Sequence, residues 1–176
     1  MITTRFRPLL LGLLVFALPN LLSAQLAYAL EIEDIAGELS AVGYEDQIKI
    51  CSFSYGISSD AGSGRVSPSV TQGAFLLGKS TDRATPFLFA AVARIRRFDE
   101  VTLTAYREGA GNQVIMIFEF TNVVFTKFET GAEGSEGIDE VIGLLAEEVE
   151  ITYRYYGNDG ALAGTYVERF NFADGI

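Results

Sequence analysis

The chain has 176 residues, 49% apolar and 20% charged, with a mean hydropathy of +0.25, which is enough for one domain with a buried core and excludes general disorder. It has no histidine and one cysteine, Cys51, which excludes a histidine base, a histidine metal site, a four-cysteine zinc site and an intramolecular disulfide. Lys and Arg number 13 against 23 Asp and Glu, and the net charge of −10 opposes a phosphate-rich nucleic-acid partner.

The first residues read as a secretory leader. Arg5 and Arg7 precede the apolar run Leu9–Leu18, which ends at Pro19-Asn20, and Ala27-Tyr28-Ala29 supplies an A-x-A cleavage pattern. The run is far short of the roughly twenty apolar residues that a membrane span needs, so no stable membrane anchor is expected. Cleavage between Ala29 and Leu30 divides the chain into a leader, 1–29, and one domain, 30–176, destined for the periplasm or the exterior. Loss of Arg5 and Arg7 takes 13 basic residues to 11 against 23 acidic, a net charge of −12.

The remaining chain shows mostly a period of two. Leu30–Ile35, Gln47–Ile57 and Ser69–Leu77 are predicted strands, then Val101–Tyr106, Gln113–Phe128, Glu148–Tyr155 and Gly164–Phe172. Gln113–Phe128 is apolar on both faces at first and too long for one flat strand. Glu108–Asn112 and Gly157–Gly160 are predicted turns, the latter a type I′ hairpin turn at Asn158-Asp159-Gly160 rather than a calcium loop. One helix is predicted: Thr85 as N-cap, Pro86 at the first position, Leu88, Ala91, Val92 and Ile95 on one face, and Arg94, Arg96 and Arg97 in the last turn. Asp139–Glu148 fits a second helix or a strand, with Gly143 against the helix.

No reaction is specified by these residues. Gly73–Ser80 matches the phosphate-loop pattern G-x-x-x-x-G-K-[ST], but its variable positions, Ala-Phe-Leu-Leu, read as a strand, and no βαβ alternation surrounds it. Glu119, Glu147, Glu148 and Glu150 are acidic candidates, with Glu148 and Glu150 on the polar face of an amphipathic strand. Cys51 lacks a histidine partner and reads as a small packed side chain. No catalytic, cofactor or metal residues are expected.

Taken in order, Ile32–Glu38, Asp46–Ile57, Gly62–Val66, Lys79–Pro86, Val101–Leu103 and Val149–Tyr153 resemble the haemolysin-coregulated protein family, Hcp, whose members form the inner tube of the type VI secretion system. The resemblance spans nearly all of 30–176. It implies an all-β fold, a β-barrel of two packed antiparallel sheets with one flanking α-helix, which assembles into hexameric rings that stack and carry effector proteins in the lumen. It also places Lys79 in the segment K-x-x-D-x-A-[ST]-P that leads to the helix. Ser58, Ser59, Asp60, Ala61, Gly62, Ser63 and Gly64 are the expected ring-stacking loop, and Lys79, Asp82, Arg94 and Arg97 the expected subunit contacts.

Two departures stand out. That loop is short, and the family's tube is built in the cytoplasm without a leader. The expected protein is therefore a non-enzymatic, exported ring- or tube-forming subunit. The other reading is a secreted or periplasmic binding module or chaperone that keeps the barrel without forming tubes.

Overall fold

The computed structural model describes residues 25–60, 69–109, 111–132 and 137–173. In chain order these form β1 (Leu26–Ile32), β2 (Ile48–Ile50), β3 (Ser52–Ser54), β4 (Ile57–Asp60), β5 (Ser69–Gln72), β6 (Phe75–Ser80), α1 (Thr85–Ala93), β7 (Arg97–Arg107), β8 (Gln113–Gly131), β9 (Asp139–Leu145), β10 (Glu148–Tyr156) and β11 (Leu162–Asn171). All strand pairs among the described residues are antiparallel, in a nine-stranded sheet and a separate two-stranded one, β4-β5.

The long predicted strand organises the larger sheet. One edge of β8 pairs with β7, from Arg107↔Gln113 to Arg97↔Val124. The other edge takes two strands in succession: β10 against Met116–Thr121 and β9 against Val124–Gly131. Between them the chain bends at Asn122, whose φ is +54°, opposite Ala146 and Glu147. Asn122 Nδ2 donates to Glu147 Oε2 at 2.9 Å, and the Glu147 N–H donates to the Thr121 carbonyl at 3.0 Å. The side-chain amide of Asn tolerates this left-handed backbone better than most residues. The sheet forks there: β9 continues to β6 and β3, whereas β10 carries only β11.

The expected closed barrel is not what the pairing forms. The main path, β2-β1-β7-β8-β9-β6-β3, ends on two strands separated by Cys51 alone. At Cys51 the chain changes partners, from β1 on one side to β6 on the other, and the Cys51 N–H donates to the Gly78 carbonyl at 2.7 Å. The two ends thus meet through the chain, and no ladder joins them. Asp139–Leu145 resolves as a strand, not a helix. Gly143 is used for close approach, since a Cβ there would lie 3.0 Å from Lys127 Cβ and 3.2 Å from Leu76 Cδ2.

The turn at Gly157–Gly160 is not type I′. That turn needs positive φ at both central residues, and neither Asn158 nor Asp159 has it, whereas Gly160 does, at +79°. The Gly160 N–H donates to the Gly157 carbonyl and the Gly157 N–H to the Ala161 carbonyl, both at 2.9 Å, while the register shifts at Tyr155/Tyr156. This is a type I turn closed by a left-handed glycine and a bulge.

The core is enclosed by the strands of the main path, with side chains from β1, β2, β6, β7, β8 and β9. Phe75 stands at its centre, with ring centroids 4.9 Å from Phe120, 5.3 Å from Phe118 and 5.5 Å from Phe53. Such pairs are worth about 0.5–1.5 kcal/mol each beyond simple burial. Leu88 and Ala91 bring α1 into this cluster. β1 is an interior strand, paired with β7 and β2, so the expected cleavage point, Ala29-Leu30, falls in mid-strand at two residues that are 0% exposed.

Candidate assembly surface

The segment before α1 is held by buried charge. Lys79 on β6 and Glu140 on β9 face each other in register, both side chains wholly buried, with Nζ 2.7 Å from Oε2. Lys79 Nζ also lies 2.8 Å from Asp82 Oδ1. Thr85 Oγ1 donates to Glu140 at 3.0 Å and accepts from Lys79 Nζ and the Asp82 N–H. Thr81 Oγ1 lies within hydrogen-bond distance of Glu140 Oε1 at 3.1 Å. The phosphate-loop pattern is thereby explained: Lys79 is in a strand, committed inside the chain, and no phosphate-binding loop precedes the helix.

The helix itself departs from its predicted caps. Ala84 is the N-cap, and Asp82 Oδ1 accepts from its N–H at 2.9 Å, while Thr85 spends its hydroxyl on the ion cluster. Arg94 caps the C-terminus, so Arg96 and Arg97 fall beyond the last turn. Arg96 pairs with Asp34 at 3.1 Å and lies over the Phe98 ring at 4.6 Å. The helix ends in a Schellman motif, with the Arg96 N–H on the Ala91 carbonyl and the Ile95 N–H on the Val92 carbonyl.

The left-handed position of that motif normally holds glycine, and here it holds Ile95, at φ +53° and 71% exposed. A β-branched residue there costs of order 1–3 kcal/mol, and burial does not repay it within the chain. On α1 itself Phe87 and Phe89 are exposed two positions apart, and so on different sides of the helix, Phe89 touching Phe128 edge-on at 5.8 Å, while Arg94 and Arg97 are exposed on either side of Ile95 in the chain. Ile95→Gly is expected to raise the unfolding free energy by about 1 kcal/mol while weakening any association through this face. Paired denaturant and light-scattering measurements check both, and a loss of stability would remove strain as the explanation.

A second uncovered surface lies on β10-β11. Among the described residues β11 pairs only with β10, so it stands at the edge of the sheet. On the side that faces the core elsewhere, Tyr153 stacks on Tyr166 with centroids 6.4 Å apart, and Tyr153, Tyr155 and Tyr166 are 41%, 50% and 65% exposed. Leu162 and Val167 are also exposed. A ten-residue edge strand with this much bare apolar surface is an association site unless protected.

The other side of the same sheet is acidic. Register aligns Thr102, Glu119, Glu150 and Arg169 in one row, and Glu100, Thr121, Glu148 and Asn171 in the next. Arg169 bridges Glu150, with Nε at 2.9 Å, and Glu148, with Nη1 at 3.3 Å. Burial, then the facing Glu150, then Glu100 hold the Glu119 carboxyl above the usual carboxylate range. A carboxyl with a raised folded pKa binds protons more readily when folded, so its ionisation costs stability as pH rises through that value. Glu119→Gln should therefore stabilise the protein at about pH 7 by 0.2–1 kcal/mol, the scale of one cross-strand charge pair, and the gain should vanish by about pH 3.5, below the unfolded carboxyl pKa. An equal gain at both pH values would exclude charge as its cause.

Of the remaining predicted residues, Ser58 and Ser59 lie in β4 and Asp60 ends it, while Ala61, Gly62, Ser63 and Gly64 lie outside the described residues. The expected loop thus begins as an exposed two-stranded ribbon, β4-β5. Lys79 and Asp82 are committed within the chain, and Arg94 and Arg97 are on the surface. Cys51 is exposed rather than packed, beside a cavity of about 430 Å³ lined by Glu38, Lys49, Ser80 and Asp82 among others. No group of three or more metal-ligating side chains occurs among the described residues, nor a helix long and apolar enough to cross a membrane. The bare tyrosine face of β10-β11 is not legible in the sequence, because exposure of an alternating strand is not encoded in its alternation. The one available signal was aromatic density, Tyr153, Tyr155, Tyr156 and Tyr166 in a short stretch.

A family model described as Type VI secretion system effector, Hcp, matches residues 29–157. No curated protein matches the chain. The fold is similar to a solved structure described as a type six secretion system protein, at 17% identity, 86% of this chain, 99% of that chain and a TM-score of 0.79. It is also similar to Hcp1 from Salmonella typhimurium, at 19% identity, 86% of this chain, 97% of that chain and a TM-score of 0.67. Hcp2 from Salmonella typhimurium is similar at 18% identity, 85% of this chain, 98% of that chain and a TM-score of 0.66. At these identities the likeness is one of fold.

Proposed function

The chain belongs to the Hcp family of type VI secretion system proteins, and on that premise we propose that it is a non-enzymatic building block whose exported copies close into hexameric rings. The observation that carries this reading is the pair of unlike bare surfaces: exposed Ile95 with Arg94 and Arg97 at the C-terminal end of α1, and the β10-β11 tyrosines at the other. A ring is closed by head-to-tail contacts, which need two different patches on each copy. The two surfaces occupy different stretches of β8, since α1 packs by Phe128 and β10 pairs with Met116–Thr121. The number six comes from the family. The exposed β4-β5 ribbon is suited to contacts between stacked rings, and the ring's channel is the place for cargo.

Charge sets the conditions for assembly. At −12 per exported chain, six copies carry −72, and such self-repulsion is screened by salt. Light scattering of the exported protein should show rings that become more populated on going from low to high salt, and electron microscopy should show whether they stack. A monomer at both salt concentrations would sink the ring reading and favour the single-copy binding module.

A further inference from the structure

We propose that the leader is removed at the Ala24-Gln25 bond, so that the exported chain retains the whole of β1. This rests on the reading that the chain is exported and its leader cut. The A-x-A pattern favours Ala29-Leu30, but the fold disfavours the product of that cut. All seven residues of β1 are in register with β7, from Leu26↔Arg107 to Ile32↔Val101, and Tyr28, Ala29 and Leu30 are in register with β2. A start at Leu30 would remove four of the seven β7 positions and two of the three β2 positions. It would strip β-ladder partners from the end of β7 and the Tyr28 ring from its edge contact with Phe53, 5.3 Å between centroids. It would also place the new α-ammonium group on Leu30, which is 0% exposed in the core. An unpaired charge there carries a desolvation penalty of several kcal/mol.

A start at Gln25 has none of these costs. Gln25 and Leu26 are exposed, so the ammonium remains in water, and the Gln25 carbonyl still accepts the Glu108 N–H at 2.9 Å. The sequence offers a cut there: the apolar run ends at Leu18, Pro19-Asn20 breaks it, and after Leu21-Leu22 the small residues Ser23-Ala24 precede the bond, with Ala24 in the place of the final alanine of an A-x-A site and Leu22 in that of the first. No charged residue lies between Gln25 and Leu30, so the exported chain carries −12 with either cut.

Intact mass and N-terminal sequencing of the full chain, expressed with its leader and recovered from the periplasm or medium, test the proposal. The expected first residue is Gln25. A first residue at Leu30, or any other within the chain, overturns the proposal and leaves export standing, whereas an intact Met1 overturns both. As a second arm, Ala24→Phe should block processing and be recovered at the precursor mass. Normal processing of that variant overturns the assigned bond.

Discussion

Glu140→Ala is expected to lower the unfolding free energy by about 3–5 kcal/mol, the usual cost of removing one partner of a buried ion pair. In a chain of this size that lowers the unfolding midpoint by roughly 10 °C, at 2–4 °C per kcal/mol. Glu140 accepts from Lys79 and from the hydroxyl of Thr85, and has Thr81 Oγ1 in reach, with no exposure of its side chain. Without it Lys79 retains Asp82 alone for its buried charge, and Thr85 loses its acceptor at the first turn of α1. The double variant Lys79→Met/Glu140→Met should recover much of the loss, since matched apolar replacements of a buried pair are often neutral or better. Urea unfolding of the three proteins measures this. A loss below about 1 kcal/mol in Glu140→Ala would show that water reaches the pair and that its burial is not what anchors the helix.

Tyr166→Glu combined with Val167→Glu is expected to convert the proposed ring to monomers while leaving each copy folded. Both residues sit on β11, which among the described residues pairs only with β10, and they are 65% and 49% exposed, one on each face of the strand. Exposed positions of this kind tolerate substitution within about 0.5 kcal/mol. A tyrosine at the centre of an interface contributes about 2 kcal/mol or more, so each contact should weaken at least about 30-fold. Two further carboxylates per copy add to a charge that already opposes association. Light scattering reads the assembly and thermal unfolding reads the fold. Rings that persist with an unchanged midpoint would place the subunit contact elsewhere than β10-β11.

These two predictions separate roles that the sequence does not separate. Lys79 and Asp82, in the segment that resembles the family's K-x-x-D-x-A-[ST]-P, are expected as subunit contacts. The structure buries Lys79, because β6 and β9 come into register and set it opposite Glu140, 61 positions away, and it pairs Asp82 with the same ammonium group while leaving Asp82 partly exposed. Ile95 reads as the last member of the helix's apolar face, and its backbone conformation instead turns it out to solvent past the helix end. Aromatic alternation in Glu148–Tyr156 marks a strand, and the same alternation serves whether the face is covered or bare.

By itself the sequence determined the class of the fold, most of the strands, the one helix and the absence of histidine chemistry, because side-chain alternation and residue type act locally. Its resemblance to the Hcp family rests on the order of short segments, and that too is local information repeated along the chain. The tertiary structure alone decided the fork of the sheet at Asn122 and Glu147, the unclosed path at Cys51, the buried pairing of Lys79 with Glu140, and the use of residues before Leu30 in an interior strand. Each depends on which distant backbone supplies a strand's partner, and hydrogen-bond pairing between strands is set by the closure of the whole chain rather than by the spacing of neighbouring residues.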